Sequence, residues 1–128
     1  MFNPNEHLMK IKGNDYLQVQ WRLVWLRDEH KDWAIETEIV NSAAGAVQMK
    51  ATIKNEKGNI IAQAHKAETR ADFPDYLEKA ETGAIGRALA MCGYGTQFTA
   101  DELDEGKRIV DAPVERKYPK KLVEDEIL

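Results

Sequence analysis

Apolar and polar residues alternate along the middle of the chain in two successive stretches, residues 33–40 and 46–54, and a third stretch, residues 59–67, shows the same pattern more weakly. Alternation with a period of two is typical of strands that bury one face. The links between the stretches are short: residues 41–45 contain Gly45, and residues 55–58 end in a glycine suited to a hairpin turn. Successive strands joined by short links predict a three-stranded antiparallel meander.

Helical periodicity flanks this meander on both sides. Residues 17–31 carry an apolar stripe that includes Leu17, Trp21, Val24 and Trp25, and Asp15 can cap the start of this first helix. A second helix is predicted over residues 76–92, after Pro74 and the candidate caps Asp72 and Asp75 and before Gly93. One half of this second helix is apolar and is predicted to face the core: Leu77, Ala80, Ala84, Ile85, Ala88, Leu89, Met91 and Cys92.

The predicted fold class is α+β, with helices packed on the meander in the order α-β-β-β-α. Residues 1–15 are predicted to form an N-terminal arm, residues 16–105 the core domain, and residues 106–128 a disordered charged tail, where apolar density falls. Open strand edges on a small three-stranded sheet favour a homo-oligomer larger than a dimer.

The other half of the second helix has an unusual composition. Besides Lys79, Thr82, Ala90 and Arg87 it contains Gly83 and Gly86, and two interior glycines cost roughly 1 kcal/mol each relative to alanine. A bare helix face lets another molecule approach, and the neighbouring cations would favour an anion. The alternative interpretation is packing against another helix, within or between chains. The sequence leaves both open.

Composition is that of a soluble globular protein, with 43% apolar and 31% charged residues and no stretch long enough to span a membrane. A single cysteine, Cys92, and the lack of a signal-peptide pattern predict a cytoplasmic protein. The net charge is −4, but residues 1–100 carry 12 Lys and Arg against 13 Asp and Glu. A local basic groove is therefore compatible with the sequence.

The chain lacks the usual signatures of catalysis, so we expect a protein that is not an enzyme and that uses no cofactor or metal. The three histidines have no metal-ligand spacing, and the glycines do not form a phosphate-binding loop between a strand and a helix. One enzymatic alternative remains: Glu36, Glu38 and Lys50 on adjacent strands resemble the carboxylate and lysine set of a metal-dependent nuclease. Cross-strand charge pairing explains the same three residues without catalysis.

A family resemblance is carried by the second helix, where Lys79-Ala-x-Thr82-x-x-Ile-x-Arg87-Ala-Leu89 precedes Gly93-Tyr-Gly95. This pattern, together with Asp32-Trp33 at the start of the first strand, resembles the single-strand annealing proteins of the Rad fifty-two superfamily, which include phage recombinases. The resemblance covers about residues 16–98.

The resemblance implies a ring or filament that binds single-stranded DNA in a basic groove and anneals complementary strands in recombination and repair, with single-strand-binding protein as a candidate partner. A purely structural oligomer is the other alternative. Of the expected nucleic-acid-binding residues, the resemblance implies Thr82 and Arg87. The composition of the helix face adds Lys79, Gly83 and Gly86, and further cations could extend the groove: Arg22, Lys50, Lys66 and Arg70. The resemblance also implies a bacterial or phage-infected cell.

Overall fold

The computed structural model describes residues 1–95 and contains two helices and two antiparallel sheets. In chain order the elements are a 3-10 helix (Pro4–His7), β1 (Met9–Ile11), β2 (Asn14–Tyr16), α1 (Val19–Glu29), β3 (Ala34–Ala43), β4 (Ala46–Lys54), β5 (Ile60–Thr69) and α2 (Tyr76–Met91). The α+β class and the predicted succession of a helix, three strands and a helix, here α1 to α2, are therefore confirmed. The β1–β2 hairpin before α1 was not predicted, and oligomer formation stays a prediction.

The three-stranded sheet has the order β3-β4-β5, with both neighbours of β4 antiparallel to it. β4 has the bounds that its alternation predicts, and its inward residues Val47, Met49, Ala51 and Ile53 are all buried. This agreement follows from the central position of β4, because a strand paired on both sides needs a regular apolar face.

The first strand is longer than predicted, because the turn that ends it is tighter. β3 continues through Asn41 and Ser42, two residues assigned from sequence to a turn, and pairs Ala43 with Ala46. The reversal is made by two residues with positive φ, Ala44 at 52° and Gly45 at 80°. Positive φ at both central positions is the geometry of a two-residue hairpin turn, and alanine is not the residue that signals it in a sequence.

α2 covers one face of the three-stranded sheet. α2 packs across β4 and β5 and contacts β3 little, while α1 packs on α2. Val19 of α1 lies against Gly86 in the middle of α2, and Trp25 packs edge-on against Tyr94 beyond the end of α2. The two helices therefore run in the same direction, and the core fills the space between α2, α1 and the sheet.

Two details of the predicted helix faces are wrong. Val24 is 46% exposed, and the buried position on that part of α1 belongs to Arg22. Met91, predicted in the core, is 57% exposed, although its neighbours Leu89 and Ala90 on the last turn of α2 are buried. The predicted cap of α1 is also wrong: Asp15 lies in β2 and pairs with Lys10 at 2.6 Å, and the helix begins after Gln18 with no side-chain cap.

The N-terminal residues are folded onto α1. The β1–β2 hairpin follows the 3-10 helix, and the rings of Phe2 and His7 stack with each other and with Trp21, the His7 and Trp21 centroids being 3.9 Å apart. The predicted tail, residues 106–128, lies outside the described residues, so the three domain boundaries stay predictions. None of the described helices is long and apolar enough to cross a membrane.

Candidate nucleic-acid interface

The glycine face of α2 is directed towards the protein's own chain. A Cβ added to Gly83 would lie 2.7 Å from Cγ of Lys66, and one added to Gly86 would lie 2.8 Å from Cγ2 of Val19. Thr82, the residue before Gly83, is 3% exposed. The objects that approach this bare backbone are thus β5 and α1, and packing inside the domain accounts for both glycines.

Arg22 is a buried cation that joins the two helices. Its side chain is 2% exposed, its Nε donates to the Leu17 carbonyl at 2.7 Å, and its Nη1 donates to the Gly86 carbonyl at 3.3 Å. The guanidinium carbon also lies 5.1 Å from the centroid of the Tyr16 ring. These contacts hold the Arg22 side chain within the core. Lys66 is buried as well, with 6% of its surface exposed. The sequence placed both residues in a surface groove.

Two more of the expected cations lie on different parts of the surface. Arg87 donates from Nη1 to the His65 carbonyl at 3.3 Å, beside β5. Lys50 projects from the sheet face opposite to α2, where its Nζ pairs with Glu38 at 2.9 Å. The structure therefore does not bring the nine expected residues together in one groove.

The carboxylates of the nuclease alternative form cross-strand charge pairs. Glu38 pairs with Lys50, and Glu36 pairs with Lys54 at 2.9 Å. Among residues 1–95 no group of three or more His, Cys, Asp and Glu side chains is arranged to hold a metal ion. The charge-pair interpretation therefore describes this face.

Arg70 and Lys79 lie around the start of α2. The backbone N–H of Arg70 donates to the Gly45 carbonyl at 2.7 Å, which fixes the β5–α2 connection against the β3–β4 turn. The Arg70 Nη2 donates to the Tyr76 hydroxyl at 3.3 Å, and the Lys79 Nζ lies 5.0 Å from the Phe73 ring centroid. We call the surface formed by Gly45, Arg70, Phe73, Tyr76 and Lys79 the helix-start surface.

This surface is open beside the turn. A pocket of about 740 Å³ is lined by small side chains and by Arg70; its lining residues are Ala44, Gly45, Ala46, Thr69, Arg70 and Ala71. Small residues leave the backbone accessible to a bulky partner.

Carboxylates moderate the positive charge here. Asp75 lies 3.9 Å from the Lys79 Nζ, Asp72 accepts from the Thr69 hydroxyl at 3.0 Å, and Glu78 is in the first turn of α2. Acidic residues favour the helix start through the helix dipole, so they support the fold while they weaken anion binding. Phe73 and Tyr76 were missed by sequence reasoning, because their contact with the cations depends on the path of a loop that has no periodicity.

Beyond the far end of α2 the contacts are different in kind. The Tyr94 hydroxyl donates to Glu29 Oε1 at 2.6 Å, and the Trp25 indole N–H donates to Glu29 Oε2 at 3.0 Å. Burial, together with the hydrogen bond to Glu29, raises the pKa of Tyr94, and burial raises the pKa of the Cys92 thiol. This end is a packed junction between the helices.

Comparison with known protein families gives a match over more than half of the chain. Residues 23–92 match the model of the family described as Slr1353 N-terminal dsRNA-binding domain-like. The match begins within α1 and includes the whole sheet and α2. No curated protein and no solved structure matches the chain significantly.

The family match corrects two expectations. The resemblance to single-strand annealing proteins of the Rad fifty-two superfamily is wrong, and so is the expected function of annealing single-stranded DNA in recombination, because the matching family is a different one. The motif was misleading for a physical reason: Thr82, Gly83 and Gly86 serve packing within the domain.

Proposed function

The chain belongs to the Slr1353 N-terminal dsRNA-binding domain-like family, and from this membership we propose that it binds double-stranded RNA through the helix-start surface, without making or breaking a bond. The observation that carries the location is the pair Arg70 and Lys79, which flank the start of α2 beside an open turn of small residues.

The chemistry of duplex RNA supports this choice of surface. Proteins recognise an RNA duplex mainly by its shape and through contacts to phosphates and 2′-hydroxyls. The helix-start surface offers an exposed guanidinium at Arg70, an ammonium at Lys79 and the N-terminal end of a sixteen-residue helix. The positive end of the helix dipole favours phosphate, as do both cations.

The strength of binding should be modest. Only two cations are offered, and three carboxylates lie at the same end of α2. We expect affinity to fall with salt at a log–log slope of about −2, one unit for each phosphate contact. Little dependence on RNA sequence is expected, because phosphate contacts carry no sequence information.

A binding panel tests the function. The chain is titrated at low salt against one sequence of about 20 base pairs as duplex RNA, as duplex DNA and as its separate RNA strands. We expect the tightest binding for duplex RNA, because the A-form shape and 2′-hydroxyls are absent from the DNA duplex. Equal affinity for all ligands, or no binding to the RNA duplex, would contradict the proposal, and unchanged RNA length after incubation is the expected result for a protein without catalytic activity.

A specific feature of β3 supports self-association as a second property. Ile39 and Val40 are 50% and 48% exposed on this edge strand, because α2 covers β4 and β5 instead. The carboxylates of Glu36 and Glu38 are paired within each copy, so two β3 edges can meet without unpaired charge. Exposed apolar edge strands are templates for pairing with another strand.

Light scattering tests this second property. The mass of the wild-type chain at micromolar concentration should exceed the monomer mass, and Ile39→Lys should return it towards the monomer, because a charge on an edge strand opposes pairing. Ile60→Lys is a matched control that distinguishes the two edges of the sheet, since Ile60 is 56% exposed at the start of β5, the opposite edge strand, and this variant should keep the wild-type mass if β3 is the pairing edge. A monomeric wild-type chain would contradict self-association and would leave RNA binding unaffected.

A further inference from the structure

Each cation of the helix-start surface rests on an aromatic ring. The guanidinium carbon of Arg70 lies 5.5 Å from the Tyr76 ring centroid, and the Lys79 Nζ lies 5.0 Å from the Phe73 centroid. We propose that Phe73 and Tyr76 are positioning residues for RNA, which hold the two cations in place before a phosphate arrives. This inference rests on the proposed function and assigns the two rings a role within it.

Arg70 is fixed at both ends. Its backbone N–H is bound to the Gly45 carbonyl at 2.7 Å, and its guanidinium both lies over the Tyr76 ring and donates to the Tyr76 hydroxyl at 3.3 Å. Tyr76 is itself 7% exposed and belongs to the core, so the ring is a rigid support. A cation on a rigid support loses less conformational freedom when it binds a phosphate than a mobile side chain does.

Lys79 is held from two sides. Its Nζ lies over the Phe73 ring and 3.9 Å from Asp75, one turn earlier in the chain, and 17% of its side-chain surface is exposed. Phe73 is positioned by its loop, because its backbone N–H donates to the Thr69 carbonyl at 3.0 Å. The ammonium therefore remains at the start of α2, where the helix dipole also favours an anion.

The ring faces contribute something that packing alone does not. Phe73 is a partly buried residue at the border of the core, where leucine would also fill apolar space. Only an aromatic ring presents the negative face that attracts an ammonium group. Replacing Phe73 by leucine therefore separates positioning of the cation from burial of apolar surface.

A double-mutant cycle with a salt titration tests the inference. Affinity for the duplex RNA is measured for wild type, Phe73→Leu, Lys79→Gln and the double variant, with thermal unfolding of each as a check of the fold. Phe73→Leu should weaken binding about two- to fivefold and leave the salt slope unchanged, because no charge is removed. Lys79→Gln should reduce the slope by about one, and Phe73→Leu should then have no further effect.

Conservative variants complete the test. Phe73→Tyr should bind like wild type, since it keeps the ring face, and Tyr76→Phe should weaken binding less than loss of the Arg70 charge does. Independent effects of Phe73→Leu and Lys79→Gln, or wild-type affinity in Phe73→Leu, would overturn the inference alone. Absence of duplex binding by the wild-type chain would overturn the proposed function and this inference together, so the two failures are distinguishable.

Discussion

The first turn of α2 and the rest of the same helix differ in what surrounds them. At the first turn, Lys79 lies over Phe73 with part of its side chain exposed, and Arg70, which lines an open pocket, lies over Tyr76. Further along, Gly83 and Gly86 touch Lys66 and Val19, and beyond the end of the helix Tyr94 is bound to Glu29. The cations of the candidate site therefore lie around the start of α2, and the remainder of the helix packs within its own domain.

This difference shows that small residues on a helix indicate a close contact but do not identify the neighbour that makes it. In the sequence, Gly83 and Gly86 have the same appearance whether the neighbour is a ligand or another element of the chain. The structure supplies the neighbours, and they are internal. Variants along α2 should accordingly separate into those that change stability and those that change binding.

Gly86→Leu should have the largest effect on the free energy of unfolding. Its Cβ alone would lie 2.8 Å from Cγ2 of Val19, and the β-branched Val19 side chain has little rotamer freedom to move. We expect the free energy of unfolding to fall by about 3 kcal/mol, as measured by urea denaturation. Gly83→Ala is the comparison: its Cβ would lie 2.7 Å from Cγ of the buried Lys66, but the smaller side chain and a gain of about 1 kcal/mol in helix propensity should make it less costly than Gly86→Leu. Equal stability of wild type and Gly86→Leu would show that this face is not packed.

Arg22→Met should have the next largest effect on the free energy of unfolding. The substitution keeps the length of the aliphatic chain and removes the donors to the Leu17 and Gly86 carbonyls. Leaving two buried acceptors without those donors should cost about 2 kcal/mol, measured by the same denaturation. The salt slope of RNA binding should not change, because Arg22 is 2% exposed. A reduced slope in a folded variant would instead place Arg22 at the ligand.

The stability contributed by the contact of Tyr94 with Glu29, beyond the end of α2, should depend on pH. Because the pKa of Tyr94 is raised in the folded state by burial and by Glu29, the unfolded chain loses this proton first. The contribution of this contact to stability is fully present below the ordinary tyrosine pKa of about 10 and is lost as the pH rises above it. Tyr94→Phe should lower stability at neutral pH by about 1.5 kcal/mol and should flatten the decline above pH 10. The same decline in both proteins would contradict this assignment.

Asp75→Asn should have the smallest effect of these variants. It should change RNA affinity at the start of α2. The substitution removes the carboxylate 3.9 Å from the Lys79 Nζ, so a phosphate no longer competes with it, and we expect about twofold tighter RNA binding at low salt. Glu56→Gln, in the exposed β4–β5 link, is the control for a change in net charge. Equal gains in both variants would show a general charge effect and no specific competition.

The sequence predicted the framework well and the site only in part, for related physical reasons. The bounds of β4 could be predicted because a central strand carries a regular pattern, whereas the end of β3 depended on Ala44 in an unusual conformation. Lys79 and Arg70 were identifiable as cations. Their meeting with Phe73 and Tyr76, and the burial of Arg22, depend on tertiary contacts that no local pattern encodes.

The salt dependence of duplex RNA binding is the most direct test of the central claim. Titrations at several salt concentrations would compare wild type with Arg70→Gln/Lys79→Gln and with Lys57→Gln, which removes one charge from the exposed β4–β5 link. We predict that the double variant loses about two units of slope and remains folded, with stability lowered by about 1–2 kcal/mol through loss of the two cation–π contacts, and that Lys57→Gln keeps the wild-type slope. A double variant that binds duplex RNA with wild-type affinity and slope would contradict the account.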